Sequence, residues 1–78
     1  MERATTIDPY RTPANVGQLD QIERLLAAFM YLDPPGAEPF RRSVDRRNRG
    51  TGFTVATADA AITVLTLEVA QRRREARS

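Results

Sequence analysis

Between Val16 and Leu32 the apolar residues recur at every third or fourth position. Leu19, Ile22, Leu26, Phe29 and Met30 share one stripe, with Val16 and Leu25 at its edges, while Asp20, Gln21, Arg24 and Tyr31 fall on the other side. A 3.6-residue period of this width commits residues 16–32 to a helix with a face broad enough for a core. Asn15 suits the N-cap, and Asp20 lies towards the positive end of the helix dipole. The run Asp33-Pro34-Pro35-Gly36 stops this helix, since Pro34 cannot continue it.

Two further helices follow from weaker signals. Residues 39–49 read as a short helix with Pro39 at its first position, Gly50 just past its end, and Phe40 and Val44 as a small apolar face. Arg41 and Asp45 are four apart on it and can pair. So short a helix depends on docking. Gly50-Thr51-Gly52 is a flexible break, and Phe53 and Val55 sit in an extended or turn segment. Residues 58–76 read as the third helix, with Thr57 as N-cap and Asp59 in the first turn. The β-branched residues Ile62, Thr63, Val64, Thr66 and Val69 offer a rival strand. Helix is preferred because no Gly, Asn or Pro interrupts the chain from Val55 to Arg77.

That third helix has two apolar stripes: Ala58, Ile62, Leu65 and Val69 on one side, and Ala60, Val64 and Leu67 nearly opposite. A helix apolar on two faces is buried on both. In 78 residues one face is expected to meet another molecule, unless Phe40, Val44 and Phe53 cover it. The expected fold is therefore all-α: a small bundle of about three helices (16–32, 39–49, 58–76) in a single domain over residues 15–78. Its core is expected to hold Leu19, Ile22, Leu26, Phe29, Ile62, Leu65 and Val69. Residues 1–14, with Pro9 and Pro13, read as an extended arm, either loose or packing Ile7 and Tyr10.

Composition narrows the chemistry. The chain has no Cys, no His and no Lys; all twelve cations are Arg. Imidazole, thiolate and amine chemistry are thereby removed. Asp20 and Glu23, or Asp59 with the distant Glu68, are ordinary surface acids, so no catalytic residue, metal site or cofactor is assigned. Gly50-Thr51-Gly52 lacks the lysine of a phosphate-binding loop. No run of about 18 apolar residues is present and the first residues lack an apolar signal core, so a cytoplasmic setting is expected. Without disulfides a domain this small tends to gain stability by oligomerising or docking.

Charge is polarised along the chain. Residues 1–40 carry three Arg against six acids, net −3, whereas residues 41–78 carry nine Arg against four, net +5. One cluster is Arg41, Arg42, Arg46, Arg47 and Arg49; the second is Arg72, Arg73, Arg74 and Arg77. Guanidinium is a planar fork suited to carboxylates and phosphates. The plainer reading is a solvated face for the first cluster and complementation of the helix dipole for the second. Aromatic residues do not interleave with the Arg, which gives a base-stacking platform little support. The long gap between the second and third helices fits a helix-turn-helix poorly.

These features favour a non-enzymatic protein-interaction module, a regulator, adaptor or inhibitor. It would dock through Val64 and Leu67 and through Arg41, Arg42, Arg46, Arg47, Arg49, Arg72 and Arg73, on another protein or a second copy of itself. The alternative is a nucleic-acid-binding protein that contacts phosphates through Arg41–Arg49 and Arg72–Arg77. A structural subunit of a larger assembly is a third possibility.

Overall fold

The computed structural model describes residues 8–77. Three helices account for most of them: α1 (Val16–Leu32), α2 (Pro34–Arg49) and α3 (Val55–Arg77). The chain is all-α, and the described residues contain no strand beyond an isolated bridge between Pro13 and Thr54. Residues 62–69, the rival strand, lie within α3.

Helix α1 has the bounds its periodicity implies. Asn15 Oδ1 accepts from the Gln18 N–H at 2.8 Å, and Gln18 Oε1 accepts from the Asn15 N–H at 3.1 Å. This reciprocal box satisfies two donors that a helix start leaves open. Asp20 lies beyond the first turn and pairs with Arg24 at 2.9 Å.

Helix α2 starts five residues earlier than the expected 39. Pro34 does end α1, but at the first position of a new helix its missing N–H costs nothing. Asp33 serves both helices. Its N–H donates to Phe29 O at 2.8 Å, its carbonyl accepts from Ala37, and Asp33 Oδ1 accepts from the Gly36 N–H at 3.1 Å. Pro39 therefore stands inside α2, not at its start. Gly50 closes α2, donating to the carbonyls of Arg46 and Arg47 at 3.1 Å each.

Helix α3 also starts early, at Val55 and not 58. Thr54 and Thr57 exchange hydrogen bonds, Thr57 Oγ1 accepting from the Thr54 N–H at 2.8 Å and Thr54 Oγ1 from the Thr57 N–H at 3.2 Å. Thr57 is thus inside the helix and Asp59 lies past its first turn.

Of the expected arm, residues 1–7, including Ile7, lie outside the described residues. Residues 9–11 form a turn, and the next residues tie to the base of α3. Ala14 N donates to Phe53 O, Val55 N to Thr12 O and Ala56 N to Pro9 O, each at 2.9 Å. Tyr10 stays 75% exposed.

Helices α1 and α3 run parallel. Gln18, near the start of α1, donates to Val55 O at 3.2 Å, whereas Arg72, near the end of α3, reaches Asp33. Helix α2 returns antiparallel and packs on α1. No Cα of α2 lies within 8 Å of a Cα of α3. The buried core is Ile22, Phe29, Ala37, Phe53, Ala58, Leu65 and Val69. Leu26 and Ile62 are half-buried at its edge. Leu19, expected inside, is exposed. At 100° per residue it stands about 60–80° off the line through Ile22 and Phe29. Ala37, Ala58 and Phe53 fill the core instead.

Candidate docking surface

Because α2 and α3 do not pack directly on each other, an apolar groove of about 230 Å³ opens between them. Phe40 and Val44 form one wall, Ala61 and Val64 the other, with Phe53 and Leu65 also lining it. Phe40 is held from behind by Phe29, ring centroids 5.3 Å apart. Val64 stands at the rim, 43% exposed, and Leu67 one turn on is 65% exposed. The cover that Phe40, Val44 and Phe53 provide is thus partial: they share the groove with Val64 but leave it open, and Leu67 lies outside it. Along α3 no charged residue occurs between Asp59 and Glu68.

The first arginine cluster divides into two parts. Arg41 lies between two carboxylates, its Nε donating to Glu38 Oε1 at 3.0 Å and its Nη1 to Asp45 Oδ2 at 2.7 Å. Arg42 Nε donates to Glu38 Oε2 at 3.2 Å. The Arg41 hydrogen bonds, seconded by Arg42, hold the Glu38 carboxyl far below the usual range, at about 2. Both Arg are therefore partly neutralised within α2. The Arg47 guanidinium lies 5.5 Å over the Phe53 ring, which positions it without cancelling its charge. Arg46 and Arg49 are exposed and make no ion pair among the described residues. Ser43, Arg46, Arg47, Gly50 and Thr51 line a second depression of about 220 Å³ beside the apolar groove, with Ser43 common to both.

Arg72 and Arg73 take different places. Arg72 is turned inward: Nε donates to Asp33 Oδ2 at 2.9 Å, Nη1 donates to Glu68 Oε1 at 2.8 Å, and the guanidinium lies 5.1 Å over the Phe29 ring. With its side chain only 22% exposed, Arg72 is a packing residue and not a surface contact. Arg73 is exposed and makes no ion pair among the described residues. Arg73, Arg74 and Arg77 project past the level of Asp33, where α1 ends. Arg47 sits by Phe53 at the base of α3, so the C-terminal part of the first cluster lies towards the opposite end of that helix from Arg73, about 27 Å away at 1.5 Å per residue, whereas Arg41 and Arg42 follow Phe40 and its contact with Phe29.

Among the described residues no polar or charged side chain is buried, and no group of three or more His, Cys, Asp or Glu is placed to hold a metal. No helix of the described residues is long and apolar enough to cross a membrane. Asp33, like Glu38, has its carboxyl lowered, first by the hydrogen bond from Arg72 and then by the Gly36 N–H. Sequence reasoning missed Glu38 as the partner of Arg41 and Arg42. It stands three and four residues before them, a legible signal once α2 is extended back to Pro34. No family model, curated protein or solved structure matches this chain.

Proposed function

We propose that the protein is a non-enzymatic interaction module that binds another polypeptide through the outward face of α3 and the adjoining groove. The observation that carries this reading is the open apolar groove at Val64, flanked by Leu67 on one side and, beyond Ser43, by Arg46 and Arg47 on the other. A surface helix of a free-standing domain presents charge to water; α3 presents Ala60, Thr63, Val64 and Leu67. Apolar centres with arginine at the rim are the usual make-up of protein interfaces. Separation of Arg47 from Arg73 along α3, with Arg41, Arg42 and Arg72 satisfied internally, weakens the case for one continuous phosphate-binding stripe.

The test is affinity capture from native lysate, with and without nuclease, by the wild-type chain and two variants. One variant is Val64→Asp/Leu67→Asp; the other is Arg46→Glu/Arg49→Glu. A nuclease-resistant protein, including untagged copies of the chain itself, should be retained by wild type and lost with the first variant. The second variant should weaken its retention. Retention that disappears with nuclease and ignores the α3 variant would replace this reading by phosphate binding.

A further inference from the structure

We propose that the partner of the outward face of α3 is α3 of a second copy of this chain, packed antiparallel about a two-fold axis near Leu67. The inference rests on the docking reading above and names its occupant.

Ala60, Thr63, Val64, Leu67, Gln71 and Arg74 are all exposed. At 100° per residue they fall within an arc of about 100°. Spacings of three and four over two heptads are those of a helix-pairing seam.

This seam is graded in size. Its N-terminal end carries the small Ala60 and Thr63, and its C-terminal end carries the long Gln71 and Arg74. Antiparallel pairing about Leu67 sets Ala60 against the alkyl stem of the second copy's Arg74, and Thr63 against its Gln71. Small meets large at both ends, and the two Leu67 meet at the centre. Parallel pairing would set Ala60 on Ala60, leaving a gap, and Arg74 on Arg74.

Charge selects the same orientation. Asp59 and Arg73 flank the same edge of the seam, 14 positions apart. Antiparallel helices pair such edge positions with each other, so Asp59 of each copy lies beside Arg73 of the other, twice by symmetry. In a parallel pair the two copies of this edge lie on opposite sides of the seam, so Asp59 and Arg73 would not meet. Both groups have capacity for this. Asp59 has one long contact, 3.4 Å from Gln18 Nε2, and Arg73 has no ion pair among the described residues. A contact of this kind is self-complementary and closes at two copies.

The chain contains no cysteine, so a single introduced thiol reports on one position. Sedimentation equilibrium of the full wild-type chain should show a monomer–dimer equilibrium. Under oxidation, or with a short bis-maleimide, Leu67→Cys should link to itself. Ala60→Cys should not, because its two copies would lie about 21 Å apart. A mixture of Ala60→Cys and Arg74→Cys chains should link to each other. Asp59→Arg should raise the dimer dissociation constant roughly tenfold, and adding Arg73→Asp should restore it.

Self-linking at Ala60→Cys as efficient as at Leu67→Cys would mean parallel pairing and overturn the proposal. So would a monomer at about 100 μM with no link at Leu67→Cys. In that second case, capture of another protein lost with Val64→Asp/Leu67→Asp leaves the docking reading standing with a different occupant. Capture indifferent to those changes ends both.

Discussion

Arg72 Nε and Asp33 Oδ2 lie 2.9 Å apart across 39 positions of sequence. The pair fastens the end of α3 to the corner between α1 and α2. Because the guanidinium also packs over Phe29 and bonds Glu68, its removal uncouples three elements at once. Arg72→Ala should therefore lower the thermal midpoint more than Ala at Arg46, Arg49 or Arg73. Arg72→Lys should fall between, keeping charge and losing the fork and the stacking. Parallel melts of the four alanine variants check the order.

Acid should act on the same corner and on α2. The carboxyls of Glu38 and Asp33 are both lower in the folded chain than in the unfolded one. A depressed folded value means stability that is present above the unfolded value and lost as pH falls towards the folded one. For Glu38 the window runs from 4.5 down to about 2. Urea midpoints measured from neutral pH downwards should fall through that window, and Glu38→Gln should make the fall shallower while lowering the plateau above it.

Two leucines two positions apart on α3 should behave in opposite ways. Leu65 is 1% exposed and Leu67 is 65% exposed. Leu65→Ala should cost roughly 2–5 kcal/mol of unfolding free energy, a large share of what a domain this size holds. Leu67→Ala should stay within about 0.5 kcal/mol when measured by denaturation at a concentration where the chain is dilute. Leu26→Ala, half-buried, should cost less than Leu65→Ala.

Gly36 should tolerate no side chain. An added Cβ there would overlap the Asp33 carboxylate, the same group that caps α2 and holds Arg72. Gly36→Ala should thus reproduce the melting loss of Arg72→Ala, even though Ala is the better helix former. A double variant no worse than either single change would show that both act through Asp33.

The sequence reveals α1 completely, because its period, its cap at Asn15 and its stop at Pro34 agree. The other boundaries are displaced for local reasons. Proline ends one helix and begins the next with the same missing N–H, and periodicity alone does not separate the two uses at Pro34. Starting α2 at Pro39 placed Glu38 outside the helix, which hid the neutralisation of Arg41 and Arg42. The core was legible where large residues repeat, as at Ile22, Phe29, Leu65 and Val69. Ala58 was legible as the first residue of the inner α3 stripe but stood outside the expected core; Ala37 and Phe53 were not legible as core, because a helix approaches closely at one and a loop folds in at the other. Val64 and Leu67 stand out as a second stripe in sequence, and both are exposed in the fold. That Arg72 points inward depends on the register of α3 against α1, which no local pattern encodes.

Asp33 is the sole residue between α1 and α2. The corner therefore has no slack. One residue inserted or deleted there would turn α2 by about 100° about its axis, carrying Phe40 off Phe29 and swinging Arg46 and Arg47 away from the groove. The Gly50–Gly52 connection, by contrast, can change length without rotating either neighbour against α1, since Gly52 already adopts a φ of 81° that loops accommodate. Length variation across evolution should accordingly be forbidden at position 33 and tolerated at positions 50–52, so that this chain keeps its arginines in phase with its groove through a one-residue elbow.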